Sequence, residues 1–172
     1  LKADLGDCIP ANTLVMMGSL AFDYFSIPEI ACIQVPASNQ NSDYVAALQK
    51  CKNRDVQTIG ALNSSATVRN AVIAHIDERN LPQNGKYRMF YTGAPALTPI
   101  GDIDTPNTVA SMSYQIKNEC VVFVNATRAK FYYLDPDTNV DTATTVDGAF
   151  IGAAVAAYRD SYASPVTTLL NQ

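Results

Sequence analysis

The chain has 172 residues with a formal net charge of −4, 16% of them charged and 48% hydrophobic, which is length enough for one well-buried core or a core with a small appendage. Its Lys and Arg residues form no cluster, which argues against a nucleic-acid partner because phosphate binding draws on concentrated cationic charge. No apolar run approaches the roughly 20 residues of a membrane span, and a surface dressed in Asn, Gln, Ser and Thr suits packing against other protein.

The chain starts at Leu1 without Met or a signal-type apolar region, so it is expected to be a processed product or a piece of something longer. Residues 1 to 12 are polar and proline-punctuated. Thr13 to Phe25 reads as one or two buried strands broken at Gly18-Ser19, and Ile30 to Val35 as another stopped by Pro36, so residues 1–41 form a peripheral strand-rich segment. Asn41 or Ser42 caps a predicted helix from Asp43 to Lys52, with Val45, Leu48 and Cys51 on one face. The strand at Ile30, this helix and the next strand would form a first βαβ unit.

The centre of the pattern is Asp55 to Asn80. β-Branched Val56, Thr58 and Ile59 stop at Gly60, Asn63-Ser64-Ser65 supplies turn and N-cap chemistry, and Val68, Ala71, Val72 and Ile76 recur at helical spacing. Leu81-Pro82 ends the helix and Asn84-Gly85 turns into a strand from Tyr87 to Tyr91, completing a parallel βαβ unit. Thr92 to Asn107 is a long Pro-, Gly- and Asp-rich connection at the carboxyl end of that strand, where open α/β sheets keep their clefts. Thr105-Pro106 is the predicted start of a helix carrying Val109, Met112 and Ile116 to about Asn118. Val121 to Val124 reads as a strand buried on both faces. Lys130 to Leu134, the turn DPDTN and Val140 to Val146 read as a hairpin at or beyond the sheet edge. A last helix opens on Asp147 as cap, carries Phe150, Ile151, Val155 and Tyr158 beside a small-residue face that includes Gly148 and Gly152, and closes at Pro165. The expected architecture is a single α/β domain over 1–172, with a mixed, largely parallel sheet flanked by helices and an edge hairpin.

Residues capable of chemistry are scattered. Cys8, Cys32, Cys51 and Cys120 stand singly, without the paired spacing of zinc or redox sites, and read as reduced buried thiols. His75, the only histidine, lies beside the apolar face of the central helix and has no nucleophile signature with it. Asp135, Asp137, Asn139 and Asp141 imitate a calcium loop, but Val140 replaces the turn glycine and Val146 the bidentate glutamate, which leaves a hairpin turn. Asp102 and Asp104 read as loop capping. Gly60 to Ser65 has one glycine where a dinucleotide fold needs three. No cofactor, metal or catalytic residue is assigned.

The runs DVQTIGALNSSATVRNAVIAHIDERN, KYRMFYTGAPA, NECVVFVNATRAKFYYLDPDTN and VDGAFIGAAVAAYRDSYASPVTTLLN together resemble the core of contractile tail sheath proteins of myophages and related injection machines, over about residues 43 to 172. The resemblance lies in the Asn70 to His75 helix segment, the aromatic strand Phe131-Tyr132-Tyr133, the small-residue helix with Asp147-Gly148 and Ile151-Gly152, the pair Arg159-Asp160, and the exit at Ser164-Pro165. The family's A-R-T-D step stands here as Ala157-Tyr158-Arg159-Asp160, and the extended terminal arms that such subunits lend to neighbours are not visible. The resemblance implies a non-enzymatic, structural virion protein of the bacteriophage tail, assembled in the host cytoplasm. It would form a helical homo-oligomer around a tail tube protein and contract by sliding of rigid subunits to push the tube through the host envelope for genome ejection. Asp147, Gly148, Gly152, Arg159 and Asp160 would then serve packing or assembly, and the chain without arms would fold but assemble poorly. The alternative expectation is an α/β small-ligand-binding or hydrolytic enzyme using loop 92–107.

Overall fold

The computed structural model describes residues 40–170 apart from Asn53, together with Met17, Ile33 and Val35, and describes no side chain at Asn41 or in 162–170. The strand expectations over 13–25 and 30–35 therefore fall almost wholly outside the described residues. Of the three isolated positions, Met17 is helical and Ile33 and Val35 have no regular structure.

The described elements are α1 (Asn41–Cys51), β1 (Thr58–Gly60), α2 (Ala66–Arg79), a 3-10 turn (Pro82–Asn84), β2 (Met89–Gly93), α3 (Val109–Ile116), β3 (Val121–Val124), β4 (Lys130–Leu134), β5 (Asp141–Thr145) and α4 (Gly148–Leu170). β1, β2 and β3 form a parallel sheet in that order, with Ile59, Phe90 and Val121 in register across it. β4 and β5 form a separate antiparallel pair. The fold is thus mixed α/β, with a parallel sheet flanked by helices and a hairpin.

Strand alternation places the helices on opposite faces. Ile59, Phe90 and Val121 face α2, where Phe90 packs with Val68, Val72, Ile76 and Cys120, and Tyr44 and Leu48 of α1 close the outer side. The other face, at Gly60 and Gly93, meets α4 at Ala153 and Gly148. A smaller cluster joins Val146 and Phe150 to Phe131, with the Phe131 and Phe150 rings edge-on at 5.9 Å.

Several local expectations shift. Gln40, rather than Asn41 or Ser42, precedes α1, and its N–H donates to Asp43 Oδ2 at 3.1 Å. The inward residues of α1 are Tyr44 and Leu48, while Val45 is exposed. Ser65 caps α2 by accepting from Val68 N. The cap of α3 is Thr108, whose Oγ1 accepts from Ser111 N, rather than Thr105. The reason lies in Asp102, whose Oδ1 accepts from Asp104 N and Thr105 N and holds Thr105 in a turn before the helix. β2 is the strand buried on both faces, whereas the apolar run of β3 lies at the sheet edge and is half-buried throughout. Finally, α4 runs through Pro165 to Leu170 instead of closing there. Among the described residues no helix is long and apolar enough to cross a membrane.

Candidate functional site

Among the described residues, three places are set out by the elements that position their polar side chains. The first is the carboxyl edge of the parallel sheet. Ser64, buried in the loop after β1, donates from Oγ to both carboxylate oxygens of Asp147 at 3.0 Å. The same carboxylate accepts from Ala96 N at 2.9 Å, and Gly148 N donates to Ala94 O at 2.9 Å. Asp147 sits at the start of α4, as the sequence indicates, but its side chain is turned toward two loops rather than toward its own helix. The result is a clamp that ties the β1–α2 loop, the β2–α3 loop and the start of α4 into one unit.

Gly148 and Gly152 belong to the packing beneath this clamp. A Cβ on Gly148 would lie 2.5 Å from Ala94 O, and one on Gly152 2.9 Å from the Thr92 backbone. With Ala149, Ala153, Ala156 and Ala157 also buried, the small-residue stripe of α4 lies directly on β2, while Val155 and Tyr158 stand outward. The glycines therefore meet the chain's own sheet.

The second place is the amino edge, which α4 reaches after about 20 Å at 1.5 Å per residue. Thr58 Oγ1 donates to Asp160 Oδ1 at 3.0 Å, and Arg159 Nη1 lies 4.0 Å from the same oxygen. Arg159 also lines an open hollow of about 330 Å³ with Asp55, Val56, Lys86, Tyr87 and Met89. Arg159 and Asp160 are thus about three helical turns from Asp147 and Gly148, at the opposite end of the molecule.

The third place is a cationic cluster between α1, α2 and the start of β2. Arg88 is fully buried. Its Nη2 donates to Cys51 O at 2.8 Å and Arg54 O at 2.9 Å, closing the carboxyl end of α1, and its Nη1 meets His75 Nε2. A guanidinium only donates, so His75 Nε2 accepts and the imidazole is neutral with its proton on Nδ1. Burial, then the charges of Arg88 and Arg79, push the His75 pKa down to about 4; Glu78 opposes the shift and Lys52 adds to it. Hydrogen bonds from Arg79 and Lys52 hold Glu78 below the usual carboxylate range. The sequence places His75 beside the apolar face, where it is buried, but it gives no sign of Arg88. Its partners at Cys51 and Arg54 lie more than thirty residues away, so no local pattern marks it.

Asp102 is spent on its own loop, and Asp135 Oδ1 accepts from Asp137 N and Thr138 N in the hairpin turn, where Asn139 has φ 54°. Cys51 and Cys120 are free thiols, the first half-buried and the second buried; Cys8 and Cys32 lie outside the described residues. Among the described residues no three His, Cys, Asp or Glu side chains converge as a metal site. Compared with known proteins, the chain matches no family model and no curated sequence.

Proposed function

We propose that the chain is a structural, non-catalytic subunit of a contractile tail sheath. It polymerises with copies of itself around an inner tail tube, resides in the virion tail after assembly in the host cytoplasm, and drives the tube through the host envelope when the subunits rearrange. The observation that carries the reading is the carboxyl edge of the sheet. Where open α/β folds keep a ligand cleft, Asp147 accepts from Ser64 Oγ and Ala96 N and Gly148 N donates to Ala94 O, and the loop beside them turns large apolar side chains outward. Rigid packing of α4 on β2 also suits a subunit that moves as a body, because contraction then draws on interface free energy rather than on internal refolding.

Electron microscopy of particles assembled from the protein, with antibody against it, tests the reading. Labelled, striated hollow cylinders are expected; unlabelled particles or none would overturn it. The rival, an α/β ligand-binding or hydrolytic enzyme using loop 92–107, predicts that a nucleotide or divalent metal at a hundred times its dissociation constant stabilises the fold by about 2.7 kcal/mol. No thermal shift is expected across such a panel.

A further inference from the structure

We infer that the first turn of α2 holds a small oxyanion, of the size and charge of inorganic phosphate or sulfate, against the guanidinium of Arg69. The site stands on α2 and does not depend on the chain being an assembly subunit. Arg69 is the fourth residue of α2 and only 8% exposed. A cation withdrawn that far from water is costly unless something negative accompanies it. Arg79 has Glu78, and Arg88 has the carbonyls of Cys51 and Arg54. Among the described residues no acceptor engages the Arg69 side chain. Burial alone pushes its pKa below the ordinary value, with no carboxylate near enough to oppose the shift. Asp147, at the same edge of the sheet, serves Ser64 and Ala96 N instead. Yet Arg69 is not sealed in. The unpartnered side-chain atoms shut off from the surface among the described residues are Arg79 Nε, Arg88 Nε and Thr92 Oγ1. The stem of Arg69 is therefore covered while its nitrogens reach an opening.

The neighbouring backbone supplies the rest of the site. Side chains on a helix lean back toward its amino end, which carries Arg69 over Ser65 and Ala66, one turn earlier. Ser65 Oγ accepts from Val68 N, and Arg69 N donates to Ser65 O. Ala66 N and Thr67 N have no acceptor among the described residues, and both residues are exposed. The first turn contains no acidic residue, so the positive end of α2 is uncompensated from within the helix. Two free N–H groups beside a guanidinium fork are the donors that grip a tetrahedral oxyanion. The turn from Gly60 to Ser65 has a single glycine, so its backbone does not open to a pyrophosphate, which selects a bare anion over a nucleotide.

Thermal unfolding of the chain at neutral pH in HEPES tests this, with inorganic phosphate titrated and sodium chloride holding the ionic strength constant. A bound anion contributes a saturable rise in the midpoint that levels off as its site fills, whereas exclusion of phosphate from the protein surface gives a steady linear rise. The wild type is expected to show the saturable component, with isothermal titration calorimetry giving one site. Arg69→Met is expected to melt no lower than the wild type without phosphate, because it buries no charge, and to bind phosphate about tenfold or more weakly. Ala66→Pro is compatible with the first helical position after the extended Ser65, whose ψ is 148°. It removes one N–H and is expected to weaken phosphate binding while circular dichroism shows the fold intact. Adenosine monophosphate is expected to give no saturable rise. A purely linear response of the wild type, a phosphate affinity that either variant keeps in full, or an equal response to adenosine monophosphate overturns the inference. The last of these would also favour the ligand-binding rival; the other two leave the assembly reading untouched.

Discussion

At the scale of single residues the most consequential pair is His75 and Arg88. Burial and the neighbouring guanidinium groups of Arg88 and Arg79 hold the imidazole at about 4, against an ordinary 6.5. Between those values the unfolded chain binds a proton that the folded chain refuses. Stability contributed by neutral His75 is therefore complete above pH 6.5 and lost as the pH falls toward 4, by up to about 3 kcal/mol. Urea denaturation across that window should show the decline, and His75→Gln, whose amide oxygen still accepts from Arg88, should flatten it; an unchanged slope would mean that other groups carry the acid sensitivity. Arg88→Leu should cost about 1–2 kcal/mol at neutral pH because the carbonyls of Cys51 and Arg54, partly buried, lose their donor. Leu97→Gly should do the reverse, raising stability by about 0.5–1 kcal/mol through relief of the left-handed backbone. What the sequence conveys at this scale is uneven. Caps built from Ser and Thr are legible because their bonds are local, as with Ser65, whereas Arg88 joins carbonyls more than thirty residues away and leaves no local mark.

At the scale of elements the outcome turns on which face of each segment is small. Periodicity identifies α4 as a helix and picks out its large residues, Phe150, Ile151, Val155 and Tyr158, yet Val155 and Tyr158 are exposed and the glycine–alanine stripe is buried. Close approach to β2 reverses the usual preference, since a backbone-to-backbone contact gains more from absent side chains than from bulky ones. Gly152→Ala should then cost about 2 kcal/mol despite the better helix propensity of alanine, because the new Cβ meets the Thr92 backbone, which cannot swing aside. Val155→Ala on the outer face should change stability by less than about 0.5 kcal/mol. Equal effects from the two substitutions in thermal melts would contradict this packing. The same logic explains β2 and β3. Both are apolar runs in the sequence, and composition does not reveal that Phe90 and Tyr91 occupy the central strand while Val121 to Val124 hold an edge. The parallel βαβ order was legible because helix and strand alternate with short punctuated turns around Ser65 and Gly85. The cap of α3 was not, because Asp102 competes for the Thr105 backbone from within the loop.

At the scale of the whole molecule, the contacts divide the described chain into a body and an attachment. α2 shares a core with the three parallel strands on one face of the sheet, the glycines of α4 lie against β2 on the other, and the Ser64–Asp147 clamp ties their loops together at one end. α1 rests on α2 through Tyr44 and Leu48 and is tied down by the Arg88 guanidinium at its carboxyl end. Elements with fewer buried apolar contacts open at lower free energy than the global value. Amide hydrogen exchange should accordingly show β2 and residues 149–157 of α4 exchanging last and together, with α1 exchanging well ahead of them. Acidification toward pH 4 should narrow the protection of α1 before that of β2, once the intrinsic pH dependence of exchange is divided out, because protonated His75 and Arg88 repel across the contact that holds it. If α1 and β2 kept the same protection throughout, α1 would belong to the body and acid would act on the entire fold at once. A body that stays protected while its attachment loosens is the mechanical behaviour that a subunit displaced as a rigid unit requires.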